Sequence, residues 1–322
     1  MFAGLTRKTS SEITLSLYKN QLKEQFKYRA FGLDIQSDFE IPELPAEKFN
    51  AADVKISYGE NPAALTDPRG RGVLYQAKKD DFLFRLDTVG SYRVQLGKKI
   101  TIERLNNASD EEVRLFLLGS AFGAMIQQRD LLPFHGSTVV KDNKAYVIGG
   151  VSGAGKSSLA ATLVKRGYSL LADDISVIKT NEDKVMVCPG IPHLKLWEDV
   201  MKKLEEDFSR YPKVRPQLLK YRKPAGPEFI NQSMELQSIT VLSSRNTPGF
   251  ETETVRGVEK FNLLKNNTYR YQYLEGLDKT VHHFRLTTDI AARSHVYRLK
   301  RPSSPLLLNE LADYFEKEIV RP

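Results

Sequence analysis

Apolar residues recur at helical spacing near the start of the chain. Leu15, Tyr18, Leu22 and Phe26 fall three to four residues apart, which predicts an amphipathic helix over Ser11 to Phe26. The period then shortens. Tyr28 to Ile35, Val54 to Tyr58, Val73 to Ala77, Phe82 to Asp87, Tyr92 to Leu96 and Ile100 to Arg104 are short stretches rich in β-branched and aromatic residues. Gly, Pro and Asp/Lys turns separate them, as they separate hairpin strands, so residues up to about 105 read as a small antiparallel β layer. Helical spacing returns at Ser109. Glu112 stands three residues on, which makes a capping box, and an apolar run from Val113 to Ile126 follows. Beyond Asp130 the order becomes strand, glycine loop, helix, strand, the alternation of a parallel α/β core. The predicted organisation is a β-rich N-terminal domain, residues 1–108, followed by an α/β domain, residues 109–322.

The glycine loop carries the first chemistry. Gly150-Val151-Ser152-Gly153-Ala154-Gly155-Lys156-Ser157 fits G-x-x-x-x-G-K-[ST] at every position. Its surroundings fit as well: Ala145 to Ile148 reads as a strand, Ser158 to Arg166 as a helix, and Gly167 stands where a C-terminal cap belongs. Glycines let backbone N–H groups turn inward and form a nest for phosphates, and the helix N-terminus adds its positive dipole end. Gly150, Ser152, Gly153, Ala154, Gly155, Lys156, Ser157 and Ser158 are therefore the candidate nucleotide-binding residues, with Lys156 reaching the β- and γ-phosphates and the Ser157 hydroxyl facing Mg²⁺.

A second strand, Tyr168 to Ala172, ends in the adjacent acids Asp173 and Asp174. Ligands of α/β sheets sit at the carboxyl ends of strands, so both acids are expected to face the phosphates. Two tasks wait there, holding Mg²⁺ and accepting the proton of an attacking hydroxyl. His135 precedes the loop strand by one hairpin, with its turn at Asp142-Asn143, and is a candidate for the same pocket.

Further along, a hairpin starts after Asp174 and ends at Cys188-Pro189-Gly190, and Glu198 to Phe208 reads as a helix with Trp197 as a packing anchor. Arg210, Lys213, Arg215, Lys220, Arg222 and Lys223 form a basic run with no acid among them, broken by Pro212, Pro216 and Pro224. Prolines argue against a continuous helix, so a mobile basic loop is expected, with Arg222 and Lys223 as candidate phosphate or substrate contacts. Leu236 to Leu242 reads as a strand, with Arg245 beyond its end as a further candidate. Gly257 to Leu264 and Thr280 to Arg293 read as helices, Val296 to Leu299 as a strand and Pro305 to Ile319 as a terminal helix. His282-His283 lacks metal-ligand partners and reads as surface.

Composition narrows the field. The chain of 322 residues is 41% hydrophobic and 27% charged, ordinary globular usage. A net charge of +8 favours an anionic partner such as a nucleotide or an acidic peptide. Zinc-finger spacing and RNA-binding aromatic signatures are missing, which sets nucleic acid aside, and no apolar run is long enough for a membrane helix. Met1 to Ser10 lacks a secretory pattern and Cys188 is the sole cysteine, so a cytoplasmic setting is expected.

Taken together, His135-Gly136, the loop Gly150 to Ser157 and Leu171-Ala172-Asp173-Asp174 resemble the catalytic domain of the HPr kinase/phosphorylase family, in the family's own order. The resemblance covers Leu132 to Ile178 closely and implies a P-loop kinase core of HPr-kinase type, with ATP and Mg²⁺ as cofactors and a protein serine as acceptor. It implies Asp173 as general base, Asp174 as the magnesium-associated acid beside Ser157, and His135 as the active-site histidine. It also implies a homo-oligomer. Ser158 stands where the family carries a glutamate, and the family's Glu-Leu-Arg-Gly-Leu-Gly signature is missing. Tyr28-Arg29-Ala30-Phe31-Gly32-Leu33, Pro189-Gly190-x-Pro192 with Leu196-Trp197, and Val296-Tyr297-Arg298-Leu299 are similar to the lasso-peptide precursor kinases, which implies the C-terminal serine of a precursor peptide as acceptor. Two other readings stay open on the residues alone: a P-loop kinase of a small metabolite, and an ATP-binding regulator with little turnover.

Overall fold

The computed structural model describes residues 25–215, 217–246 and 248–321. The helix expected over Ser11 to Phe26 lies outside them except at its end, where Phe26 opens the strand Phe26–Ala30. The fold is mixed α/β, built on two large sheets and a two-stranded ribbon.

The first sheet has eight strands, in the order Phe26–Ala30, Leu33–Ser37, Val54–Tyr58, Lys99–Arg104, Gly90–Gln95, Asp81–Leu86, Tyr75–Lys78 and Gly70–Arg71. The stretch Tyr28 to Ile35 is two strands because Phe31 and Gly32 both take positive φ, 58° and 72°, as a tight hairpin turn requires. The expectation of an antiparallel layer needs correction. Val54–Tyr58 runs parallel to both of its neighbours, since the long connection after Ser37 returns it in the same direction.

Ser109 and Glu112 form the predicted capping box at the start of Asp110–Phe116. The apolar run behind them is two helices, the second Phe122–Gln128, joined by one wide turn at Leu117–Ala121. Tyr269 lies against the glycines of this segment, and a Cβ on Gly123 would come within 3.0 Å of its ring.

The second sheet has nine strands. Lys144–Gly149, Met234–Arg245 and His295–Pro302 are parallel to one another. The expectation of a parallel core holds for these three alone. Gly136–Lys141 pairs antiparallel with Lys144–Gly149 through a turn in which Asp142 and Asn143 both have positive φ, and Ser169–Ala172 and the hairpin Ser176–Thr180/Val185–Cys188 are antiparallel too. Hairpins take the place of crossover helices here, and a hairpin reverses the chain. Tyr146 and Ile148 pack against Leu159 and Leu163 of the helix Lys156–Lys165 and against Phe315 of Leu308–Phe315. Ala145 and Val147, on the other face, meet Leu264 and Ile290 of Val258–Asn266 and Thr280–Arg293. Gly167, at φ +88°, ends the first of these helices. Its N–H donates to the Val164 carbonyl and that of Tyr168 to the Leu163 carbonyl, the Schellman pattern.

Three further expectations change. The helix after Trp197 is short, Glu198–Lys203, with a separate 3₁₀ turn at Phe208–Arg210. The basic run is tied down, and its end forms the strand Lys220–Pro224, antiparallel to His193–Trp197. His283 is buried under Tyr271, with its Nε2 2.8 Å from Thr268 Oγ1.

Candidate functional site

The strand Lys144–Gly149 delivers the glycine loop at its carboxyl end, and the helix Lys156–Lys165 starts directly behind it. Gly150, at φ +133°, has no room for a side chain, since a Cβ there would meet the Leu242 carbonyl oxygen at 2.2 Å. Its N–H donates to Asn267 Oδ1 at 2.9 Å. Lys156 Nζ donates to the carbonyls of Gly150 and Val151, at 2.8 and 3.1 Å, which draws the ammonium across the loop. Burial pushes the Lys156 pKa below its ordinary value.

Around this loop lies a cleft of about 560 Å³, a size suited to a nucleotide. Ser152, Gly153, Gly155, Lys156, Ser157, Ser158, His135 and Asp174 all line it. Of the expected nucleotide residues, Gly150 and Ala154 shape the loop from behind and are buried.

The two acids divide differently from expectation. Asp173, not Asp174, meets the loop serine. Asp173 Oδ1 accepts from Ser157 Oγ at 2.8 Å and from Ser137 Oγ at 2.5 Å, and Oδ2 accepts from the Lys195 N–H at 2.8 Å. Asp173 is 5% exposed, so these donors fix it in place. Asp174 takes positive φ, 72°, which turns its side chain away from its neighbour's path and into the cleft. There it pairs with Lys195 Nζ at 2.6 Å and lies 3.7 Å from His135 Nδ1. Burial opposes its charge, but Lys195 and then His135 outweigh burial and hold Asp174 well below the usual carboxylate range.

His135 sits between Leu132–Phe134 and Gly136–Lys141. Its Nδ1 is 3.0 Å from the Asp174 carbonyl oxygen, which can only accept, so Nδ1 carries the hydrogen and Nε2 keeps a lone pair. Burial, and then the Lys156 charge, lower the His135 pKa, so the ring is neutral at pH 7.

Arg222, Lys223 and Arg245 are not brought to the cleft. Arg222 is turned to Glu43 at 2.5 Å and Lys223 to Glu206 at 2.5 Å, while Arg245 ends its strand exposed to solvent. Besides Lys156, the cations that do line the cleft are Lys195, Lys220 and Arg301; of these only Lys220 belongs to the basic run, and none was singled out from sequence. Trp197, expected to pack, is 43% exposed in the cleft wall with Lys220 Nζ 5.6 Å from its ring centre. Ser137 and Lys195 carried a readable signal. Ser137 follows His135 by two residues, and Lys195 is the polar residue between Leu194 and Leu196, so strand alternation marks both. Arg301 had none, because the loop carbonyls that bring it to the cleft lie far away in sequence.

Ser157 and Asp173 place two oxygen donors side by side at the loop. Among the described residues, no group of three or more His, Cys, Asp or Glu side chains is arranged to hold a metal by itself. A hard cation sharing its ligands with phosphate oxygens fits such a pair, and Mg²⁺ is commonly held that way.

No protein-family model matches the chain, and no curated protein matches it. Among solved structures, the HPr(Ser) kinase/phosphatase from Coxiella burnetii aligns over 57% of this chain and 95% of its own, at 16% identity and a TM-score of 0.30.

Proposed function

We propose that this protein is a kinase that uses ATP and Mg²⁺ to phosphorylate a serine hydroxyl of a peptide or small protein. The observation that carries the reading is the pair of acids at one phosphate-binding loop, one facing Ser157 and the other facing the open cleft. A protein that only bound nucleotide would need the first of these and not the second.

The chain's own residues take distinct parts. The loop amides, the start of the helix and Lys156 bind the triphosphate. Ser157 and Asp173 would hold Mg²⁺, which supplies neutralisation of phosphate charge. Asp174, ionised through the neutral range and open to the cleft, orients the seryl hydroxyl and takes its proton as the oxygen–phosphorus bond forms and ADP leaves. This exchanges the roles that resemblance gave to the two acids. His135 holds the Asp174 main chain through Nδ1 and keeps its Nε2 lone pair. The sequence pattern shared with lasso-peptide precursor kinases points to the C-terminal serine of a precursor peptide as acceptor.

The test is mass spectrometry of candidate peptides and of a metabolite panel after incubation with ATP and Mg²⁺. A phosphorylated peptide serine is expected, and a phosphorylated metabolite with unmodified peptides would replace this reading by the metabolite one. Asp174→Asn is expected to keep ATP binding and lose transfer by roughly 10²- to 10⁴-fold. Asp173→Asn is expected to lose the Mg²⁺-dependent part of ATP binding. Loss of transfer with that part intact would return the base role to Asp173.

A further inference from the structure

Arg301 is the next-to-last residue of the strand His295–Pro302, two strands away from the one that delivers the glycine loop. Its guanidinium is spent on backbone carbonyls. Nε donates to Ala154 at 2.9 Å, Nη2 to Gly153 at 3.4 Å and Nη1 to Pro302 at 2.7 Å. A Cβ on Gly155 would lie 3.4 Å from Nε, so the same group also flanks the last loop glycine.

Arg301 is 6% exposed, and burial alone pulls its pKa below the ordinary value, with no acidic neighbour opposing it among the described residues. Arg114 and Arg222, by contrast, share the carboxylate of Glu43. A buried charge without a counter-charge is costly, and this one lines the cleft. An anion in the cleft would supply what the fold leaves out.

Geometry adds a second consequence. In a trans peptide the carbonyl and the following N–H point in opposite directions. Holding the Ala154 carbonyl against the guanidinium therefore directs the Gly155 N–H to the far side of that peptide plane. Arg301 thus orients the nest as well as charging it.

We propose that Arg301 is a positioning residue that sets the loop's affinity for the pyrophosphate portion of its ligand, by fixing the Gly153 and Ala154 carbonyls and by leaving its own charge uncompensated. This rests on reading the loop as a phosphate site, and the closing experiment separates the two. Calorimetry measures binding of ATP and of inorganic pyrophosphate to the full chain and to Arg301→Met and Arg301→Lys, with ligand-free melting recorded for each.

Arg301→Met is expected to weaken both ligands on the order of 10- to 100-fold, because two kinds of charge-assisted contact are lost. Arg301→Lys, which keeps the charge, is expected to recover much of that loss, and the affinity of Arg301→Met is expected to depend less on salt than that of the wild type. A merely structural role predicts instead that affinity follows melting temperature and that lysine restores nothing, and that result overturns the proposal. Arg301→Met binding pyrophosphate within about twofold of wild type overturns it too, while leaving the phosphate site standing. Should Arg301→Met not fold, Arg301→Lys decides: unaltered pyrophosphate affinity with unaltered salt dependence removes the carbonyl-fixing role. A wild-type chain that binds neither ligand overturns the phosphate-site reading and this proposal with it.

Discussion

His283 carries an imidazole that folding takes out of water. It is 6% exposed, and burial, followed by the charges of His282 and Lys265, lowers its pKa to about 4. An unfolded chain takes up the same proton near pH 6.5. Below that value the unfolded state binds more protons than the folded one, so stability falls as pH drops from about 6.5 towards about 4 and is undiminished above. The full loss from this one group is about 3 kcal/mol. His193 acts with the same sign, held well below its ordinary value by burial and then by Lys195 and Arg222. Urea titrations between pH 7 and pH 5, where carboxylates are still ionised, are expected to lose stability on acidification, and His283→Gln to flatten the slope. An unchanged slope in that variant would assign the effect elsewhere. This burial was not legible beforehand, because His283 shares its helix face with the polar Thr287 as well as with Ile290 and Ala291, and Tyr271 and Thr268 cover it from outside the helix. Asp173 and Asp174 were legible as a pair for the opposite reason: a strand end fixes where both begin. Which acid meets Ser157 was not legible, since it depends on the positive φ of Asp174.

Elements whose signals are local came through from sequence. The capping box at Ser109, the Schellman turn at Gly167 and the Asp142-Asn143 hairpin each depend on residues within one turn of each other. The basic run from Arg210 to Lys223 misled because its counter-charges are distant. Glu43 reaches Arg114 and Arg222 across 71 and 179 residues, and Glu206 reaches Lys223. The Glu43 side chain is almost fully buried, and it joins the long connection after Ser37, the helix Asp110–Phe116 and the ribbon strand Lys220–Pro224. Removing its carboxylate leaves two partly buried guanidiniums facing each other. Glu43→Ala is therefore expected to destabilise the protein by about 3–5 kcal/mol in urea unfolding. A loss below about 1 kcal/mol would mean that both arginines relax into water, as exposed pairs do.

Across the whole molecule, most strands of the first sheet were readable as six stretches, but the split at Phe31-Gly32, the short edge strand Gly70–Arg71 and the sheet's union with the second were not. Phe31 leaves the hairpin turn of the first sheet and packs edge-on against Phe122, with centroids 5.9 Å apart, while its N–H donates to the Pro189 carbonyl at 2.6 Å. The same core takes in Ile175, Val177, Cys188 and Ile191 from beyond the glycine loop. Apolar periodicity tells which face of a strand is buried and says nothing about which distant element covers it. A shared core of this kind couples the two sheets in unfolding, since neither can open without exposing the other's apolar face. Phe31→Ala is expected to cost about 3–5 kcal/mol as a large core truncation. Trp197, the single tryptophan, lies in the ribbon at the cleft, remote in sequence from Phe31. Its fluorescence reports the cleft, whereas far-UV circular dichroism reports both sheets. If the core binds them into one cooperative unit, Phe31→Ala shifts both transitions by the same amount. A shifted dichroism transition with an unmoved tryptophan transition would divide the molecule into two folding units, and the cleft would then be stable without the first sheet.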